Sequence, residues 1–212
     1  MTTTLSPQNA SAQTRSTLVI IDPAVTEAQT LANGVIDGAI ALILNPDQDG
    51  IQQITAAQRQ HNATVLHIIC HGEPGCLSLG NTQLDLNSLS HYTEALQLWF
   101  EPALDAAQAP QLLLYGCQVA AGGIGTSFLD ALHRLTGANI AASTTPTGNP
   151  QQGGDWKLER AIGRVDAPLA FRSEVMEQYA GVLFPTLARF LHSTPNSNAA
   201  SILDWNSFRL FL

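Results

Sequence analysis

Two apolar segments of the sequence end on side chains that can do chemistry together. The first, "LHIICHG" at 66–72, ends on His71 and a glycine, and the second, "LLLYGCQVA" at 112–120, carries Cys117. A cysteine peptidase requires a thiol nucleophile, a base that takes and returns its proton, and donors for the oxyanion of the tetrahedral intermediate. The sequence therefore predicts a His/Cys dyad if the fold brings the two segment ends together.

Glycines beside the two side chains fit the same chemistry. Gly72 has no Cβ, so a substrate can approach its backbone, and its N–H is predicted to donate to the oxyanion beside that of Cys117. Gly116 gives the same clearance before the nucleophile. His71 is predicted to act first as the general base and then as the acid for the leaving amine. The imidazole and the start of the following helix are expected to lower the pKa of the thiol.

Each of these residues also has a purely structural interpretation. A buried Cys is often a small hydrophobic residue, and a His after a strand is often an ordinary loop residue. The pair of His71 and Cys117 favours function over structure, because each follows an apolar segment and each stands beside a glycine.

Alternating strands and helices must position the pair. Short apolar runs predict five buried strands, and segments with helical periodicity or glycine stops separate them. The predicted strands cover 17–22, 39–44, 64–70, 111–116 and 138–143, and the predicted helices cover 25–33, 51–60, 88–101, 124–136 and 174–183. Strands that are apolar on both faces predict an α/β fold, a three-layer sandwich with a mainly parallel central sheet. Sites in such sheets form outside the carboxyl ends of the strands, where both side chains are expected.

Smaller features complete the predicted organisation. Two alternating runs around Gly80-Asn81 predict a β-hairpin, and the sequence from about 142 is typical of a loop with a small hairpin. Residues 1–16 are polar, without periodicity, and are predicted to be disordered. The α/β domain is expected to span 17–183, followed by a tail of uncertain structure at 184–212.

Composition excludes several classes of function. Hydrophobic residues make up 45% and charged residues 12% of the chain, which excludes a wholly disordered protein. The net charge of −8 argues against nucleic-acid binding. The sequence predicts no membrane span and no signal peptide, which leaves both a cytoplasmic location and export by a non-classical route open.

Metal and nucleotide sites are disfavoured, and no cofactor is expected. His67, Cys70, His71 and Cys76 include the residue types of a zinc site, but strand alternation directs His67 and Cys70 to opposite faces. His67 is better interpreted as a core histidine. The "GGIG" at 122–125 opens a helix without the Lys-Ser/Thr of a phosphate-binding loop.

Four further residues are candidates for the walls of a substrate cleft. Asp155 and Trp156 follow the paired glycines of "GGDW", although they also suit a structural role at the sheet edge. Glu73 lies one step beyond the glycine that follows the predicted base. Asp22 ends the first strand, and a carboxylate here or at Asp155 would favour a basic P1 residue in the substrate.

These motifs resemble the caspase-like cysteine peptidase superfamily. His-Gly follows the third predicted strand and Gly-Cys the fourth, and the two are separated by roughly the 50 positions expected of caspases. The segments "LHIICHGEPGCLSLGNTQL", "LLLYGCQVAAGGIGTSF", "LTGANIAAST" and "GGDWKLE" are also similar to a bacterial family, domain-of-unknown-function family 4347, over about residues 17–183.

The resemblance implies a caspase-like fold and a peptidase-like site on His71 and Cys117. The bacterial family is typical of very large surface or exported proteins with cadherin-like and calcium-binding repeats. Its pattern has Asn after the Cys and Glu after the Ala-Gly, whereas this chain has Gln118 and Gly123.

Two functional hypotheses follow. The first is a cysteine endopeptidase whose substrate is a polypeptide, either its own chain or a neighbouring exported protein. The second is a catalytically silent caspase-like module that binds or positions a surface or secreted protein. Its motivation is the two departures from the family pattern and the lack of a recognisable carboxylate to orient His71.

Overall fold

A six-stranded sheet forms the centre of the computed structural model, which describes residues 15–103 and 108–184. Its strands lie in the order β2-β1-β3-β7-β8-β9. They are β1 (Thr17–Ile21), β2 (Ile40–Ile43), β3 (Val65–Ile69), β7 (Gln111–Tyr115), β8 (Asn139–Ala142) and β9 (Arg160–Ile162). The first five pair in parallel, and β9 runs antiparallel to β8. The predicted mixed α/β class with a mostly parallel sheet is confirmed.

Helices pack on both faces of the sheet. They are α1 (Ala28–Asn33), α2 (Gly50–His61), α3 (Thr93–Gln97), α4 (Gly122–Thr136) and α5 (Ser173–Gln178). The Asp49 carboxylate caps α2 by accepting from the Gln52 N–H at 3.0 Å. Gly137 ends α4 in the left-handed conformation, with φ of 68°.

The two faces bury different sets of residues. One, the helix-covered face, packs the even side of β1 and β3 (Leu18, Ile20, Leu66, Ile68) against apolar residues of α2, α3 and α4. The other, the loop-covered face, packs Val19, Ile21, Val65 and Ile69 against α1 and the long segment 156–183. Because each strand contributes alternate residues to both layers, its sequence is apolar throughout.

A second, three-stranded antiparallel sheet branches from the end of β3. It consists of β4 (His71–Glu73), β5 (Cys76–Leu79) and β6 (Thr82–Asp85). The predicted hairpin is confirmed, because β5 and β6 pair antiparallel across Gly80-Asn81. The first strand of this sheet was not predicted. His71 therefore begins a strand, paired with Ser78, instead of standing in a loop.

Three predicted elements differ from the structure. The second strand was predicted to be buried, but β2 is the sheet edge, where Ile40 is 41% and Ile43 37% exposed. The predicted helix at 88–101 shrinks to α3, preceded by turns. The predicted helix at 174–183 ends with α5, and the chain continues without helix through residues 179–183, here called the covering segment.

The termini lie mostly outside the described residues. Of the segment predicted to be disordered, Arg15 and Ser16 are described: Arg15 pairs with Asp166, and the Ser16 carbonyl accepts from the Thr64 N–H at 3.0 Å. Of the tail, only Phe184 is described. No helix in the described part of the chain is long and apolar enough to cross a membrane.

Candidate functional site

The sheet register brings the two predicted segment ends side by side. β3 and β7 are parallel neighbours, and Ile69 at the end of β3 pairs with Tyr115 at the end of β7. Beyond these ends, the backbones of Gly72 and Gly116 touch: a Cβ on Gly72 would lie 2.8 Å from the Gly116 Cα. Glycine is required at Gly72 by this close approach, which brings the residues that precede and follow the two glycines to one place.

His71 is held by a backbone carbonyl. Its Nε2 lies 2.9 Å from the carbonyl oxygen of Ala24, and the residue is 2% exposed. Because a carbonyl only accepts, Nε2 carries the hydrogen and the neutral ring has its lone pair on Nδ1. Nδ1 is buried and has no hydrogen-bond partner within the described residues. The ring is thus in the tautomer that a general base requires, with the basic nitrogen unused.

Asp22 braces the loop that holds this imidazole. Its two carboxylate oxygens accept from the Ala24 N–H at 3.0 Å and from the Gly80 N–H at 2.6 Å, and the residue is fully buried. Asp22 thus joins the end of β1 to the β5–β6 turn and fixes the loop whose carbonyl orients His71. Its place in the wall of a substrate cleft stays a prediction.

Cys117 is fully buried beside Thr147. The Thr147 N–H donates to Sγ at 3.2 Å, and the thiol lies 3.8 Å from the carbonyl oxygen of the same residue. Burial raises the pKa of the Cys117 thiol to about 11, against the smaller lowering effect of hydrogen bonds from the backbones of Thr147 and Leu183. The expectation of a lowered pKa is therefore wrong: desolvation outweighs the groups that favour the thiolate.

The turn after Cys117 is strained. Gln118 adopts the left-handed conformation with φ of 57°, which side chains other than Gly, Asn and Asp rarely adopt. Two backbone hydrogen bonds hold the turn, from Gln118 N–H to the Thr145 carbonyl at 3.0 Å and from Ala120 N–H to the Ser143 carbonyl at 2.9 Å. Strain of this kind, held by its surroundings, is frequent at functional sites.

The covering segment lies beside Cys117 and Gly72 with an extended backbone. Its backbone pairs antiparallel with 147–149: Asn149 N–H donates to the Gly181 carbonyl at 2.8 Å, and Leu183 N–H donates to the Thr147 carbonyl at 2.9 Å. The Gly72 N–H donates to the Leu183 carbonyl at 3.2 Å. This contact was not predicted, because the sequence pattern indicated a helix over 174–183. Gly181 was the available sign that the helix ends before the covering segment.

The remaining cleft candidates have different surroundings. Glu73 is exposed at the end of β4. The Asp155 carboxylate accepts from the Lys157 N–H at 2.8 Å, as in a turn. Trp156 is buried, donates its Nε1–H to the Met176 carbonyl at 3.2 Å, and places its ring 5.4 Å from that of Tyr179. Trp156 thus packs against the covering segment through Tyr179.

His67 and the other cysteines lie apart from these contacts. His67 is fully buried, with Nδ1 3.2 Å from the Tyr115 hydroxyl, and burial lowers its pKa to about 3. Cys70 packs on the helix-covered face, and Cys76 lies in β5. Across the ranges that the structure describes, no three His, Cys, Asp or Glu side chains are grouped so as to hold a metal ion.

Comparisons with known proteins give one match. Residues 18–183 match a protein family described as "Domain of unknown function (DUF4347)". A comparison with curated proteins found no significant match.

Proposed function

Because the chain belongs to the DUF4347 family, whose description names no function, we propose one from the site itself: a caspase-like cysteine peptidase domain with Cys117 as nucleophile and His71 as base. The observation that carries this proposal is the Gly72 N–H, which donates to the carbonyl of an extended backbone segment beside the sulfur. A donor in that position is what an oxyanion hole requires.

The imidazole supports the same proposal. A base that serves a thiol must have a free lone pair on one ring nitrogen and its other nitrogen fixed. His71 has Nε2 bound to the Ala24 carbonyl and a buried, unused Nδ1. The sequence offers no recognisable carboxylate to orient His71. In this proposal the Ala24 carbonyl orients the ring, and Asp22 holds the loop that carries this carbonyl.

The proposed reaction begins from a neutral thiol and a neutral imidazole. Nδ1 of His71 takes the thiol proton as Sγ attacks the substrate carbonyl carbon, and the Gly72 N–H stabilises the oxyanion. The C–N bond then breaks, and the imidazolium returns the proton to the leaving amine. Water attacks the resulting thioester with Nδ1 as base, releasing a carboxylic acid and the free thiol. Because the thiol pKa is raised, proton transfer must accompany the attack instead of preceding it.

Active-site labelling tests the proposal. Peptide acyloxymethyl ketones with different P1 residues should label Cys117, as mapped by mass spectrometry of the tryptic peptide. Cys117→Ala should show no labelling and no peptide hydrolysis, and His71→Gln should reduce both by at least about 100-fold. Cys76→Ala is the matched control, since Cys76 is also buried, and it should be labelled like the unmodified chain. Equal labelling of the Cys117 and Cys76 peptides would contradict the proposal.

A second candidate function is the catalytically silent module. It is favoured by the full burial of Cys117 and by its raised pKa, both of which make the thiol a poor nucleophile while the covering segment is in place. In this case the fold retains the cleft for binding alone. Failure of every ketone to label Cys117, in both the unmodified chain and a variant with the covering segment displaced, would support this function over the first.

A further inference from the structure

We infer that the chain is its own substrate, and that the bond the site cleaves is the one between Leu183 and Phe184. This inference rests on the proposed peptidase function and adds to it the substrate, the scissile bond and the P1 residue. Residues 181–183 occupy the non-primed side of the cleft, with the Leu183 carbonyl as the electrophile.

The backbone contacts of Leu183 select this bond. Its carbonyl oxygen accepts from the Gly72 N–H at 3.2 Å, in the predicted oxyanion position. Its N–H donates to the Thr147 carbonyl at 2.9 Å, and the same carbonyl oxygen lies 3.8 Å from Sγ of Cys117. The carbonyl carbon is two bonds from that amide nitrogen and carries the oxygen that the Gly72 N–H contacts.

The antiparallel pairing explains how the segment is aligned. Peptides commonly bind peptidase-like clefts by adding a strand to an exposed backbone edge. Here the edge is 147–149, which bonds the carbonyl of Gly181 and the N–H of Leu183. Gly148 is required for this approach, because a Cβ there would lie 2.4 Å from the Gly181 carbonyl oxygen. The segment is thus aligned by backbone contacts on both sides.

The side chains around the bond set its specificity. Leu183 is fully buried and belongs to the same apolar cluster as Cys117, Trp156 and Tyr179, whereas Phe184 on the other side of the bond is 43% exposed. An apolar pocket for P1 with an open side for P1′ therefore replaces the basic P1 preference expected from a carboxylate at Asp22 or Asp155. The match to the family also ends at residue 183, so this cleavage would separate the family domain from the chain that follows.

The chemical step is a hydrolysis in which atoms balance. Sγ of Cys117 bonds the Leu183 carbonyl carbon as Nδ1 of His71 takes the thiol proton; the bond to the Phe184 nitrogen breaks, and that nitrogen receives the proton. One water then hydrolyses the thioester. The products are a domain that ends in the Leu183 carboxylate and a segment that begins with the free amine of Phe184.

Mass spectrometry of the purified full chain tests the inference. We expect a product that ends at Leu183 and a new N-terminus at Phe184, formed at a rate independent of protein concentration because the step is intramolecular. Cys117→Ala should remain intact. Leu183→Asp should lower the cleavage rate by at least about 100-fold, since an apolar pocket rejects a carboxylate. Leu183→Met, the matched control of similar volume, should be cut within about tenfold of the unmodified rate.

The outcomes separate this inference from the proposed function. If acyloxymethyl ketones label Cys117 but the chain stays intact, or is cut at another bond in a Cys117-dependent manner, the peptidase remains and the self-cleavage at Leu183 is refuted. If neither labelling nor cleavage occurs, both proposals fail. The labelling rate of Leu183→Asp shows whether its loss of cleavage is caused by misfolding. A folded variant with an emptied cleft should be labelled at Cys117 faster than the unmodified chain.

Discussion

The helix-covered and loop-covered faces of the sheet are built differently. On the helix-covered face, buried polar groups are paired: Gln58 Nε2 donates to the Trp99 carbonyl at 2.7 Å, and Trp99 Nε1 donates to the Thr55 hydroxyl at 3.0 Å. On the loop-covered face, His67 Nε2 and Thr147 Oγ1 are buried without a partner in the described ranges. Such atoms cost free energy in a low-dielectric interior.

The difference shows a division between stability and chemistry. Regular helices pack the first face and leave its polar groups paired, so its residues contribute mainly to folding. The second face is closed by a long irregular segment and holds the sulfur of Cys117, which the strained turn at Gln118 directly follows. Local violations of folding preferences are expected where function requires them.

Truncating one buried side chain in each face should give the largest difference between a role in stability and a role in the reactivity of Cys117. Phe128 is fully buried in α4, so Phe128→Ala should lower the free energy of unfolding by about 3–5 kcal/mol in urea titrations. The folded fraction should still react at Cys117 at the unmodified rate. Leu183→Ala on the other face should increase the reactivity of Cys117, because it uncovers the thiol. Faster labelling in Phe128→Ala at matched folded fraction would show that the faces are not independent.

Displacing the covering segment should change the ionisation of the thiol. With a pKa of about 11, roughly one thiol in a thousand is ionised at pH 8, whereas an exposed thiol with a pKa near 8.5 is about one-quarter ionised. Leu183→Asp should therefore accelerate iodoacetamide modification of the Cys117 peptide on the order of 100-fold at pH 8, with the midpoint of the rate shifted to lower pH. Leu183→Met should retain the slow rate. An unchanged midpoint in Leu183→Asp would show that the segment does not set the pKa.

Acid should destabilise the loop-covered face through His67. Its pKa is lowered to about 3 by burial, whereas the unfolded chain binds a proton near pH 6.5. Stability from this group is thus full above pH 6.5 and decreases as the pH falls from there to about 3. Between pH 6.5 and 4.5 the loss is about 2 kcal/mol, because the unfolded chain is already half protonated at pH 6.5 and the slope reaches 1.36 kcal/mol per pH unit only below that.

Two variants separate the effect of His67 on acid stability from the effect of the carboxylates. His67→Phe should unfold in urea with a weaker pH dependence, losing about 2 kcal/mol less than the unmodified chain between pH 6.5 and 4.5. His91→Gln replaces an exposed histidine and should leave the pH dependence unchanged. Parallel pH profiles for His67→Phe and the unmodified chain would contradict the assignment.

The same division explains what the sequence could reveal. Apolar runs identified β3 and β7 because strands buried on both faces have no polar alternation, and the parallel topology then places His71 and Cys117 at neighbouring strand ends. The covering segment was missed because its hydrogen bonds are made by backbone atoms, to residues 147–149 and Gly72 far away in the chain. Side-chain patterns carry no signal for such contacts. The raised pKa of Cys117 comes from its burial, which the sequence pattern also did not reveal.

The smallest expected effect comes from relieving the backbone strain at Gln118, beside Cys117. Asn adopts the left-handed conformation more readily than Gln, so Gln118→Asn should raise the free energy of unfolding by about 0.5 kcal/mol. Gln60→Asn makes the same chemical change at an exposed position of α2, where it should lower stability by a few tenths of a kcal/mol. Urea unfolding should therefore show changes of opposite sign in the free energy of unfolding of the two variants. This result would show that the gain comes from the backbone conformation at position 118. A loss of stability in Gln118→Asn would instead indicate that the longer side chain makes contacts that outweigh the backbone strain.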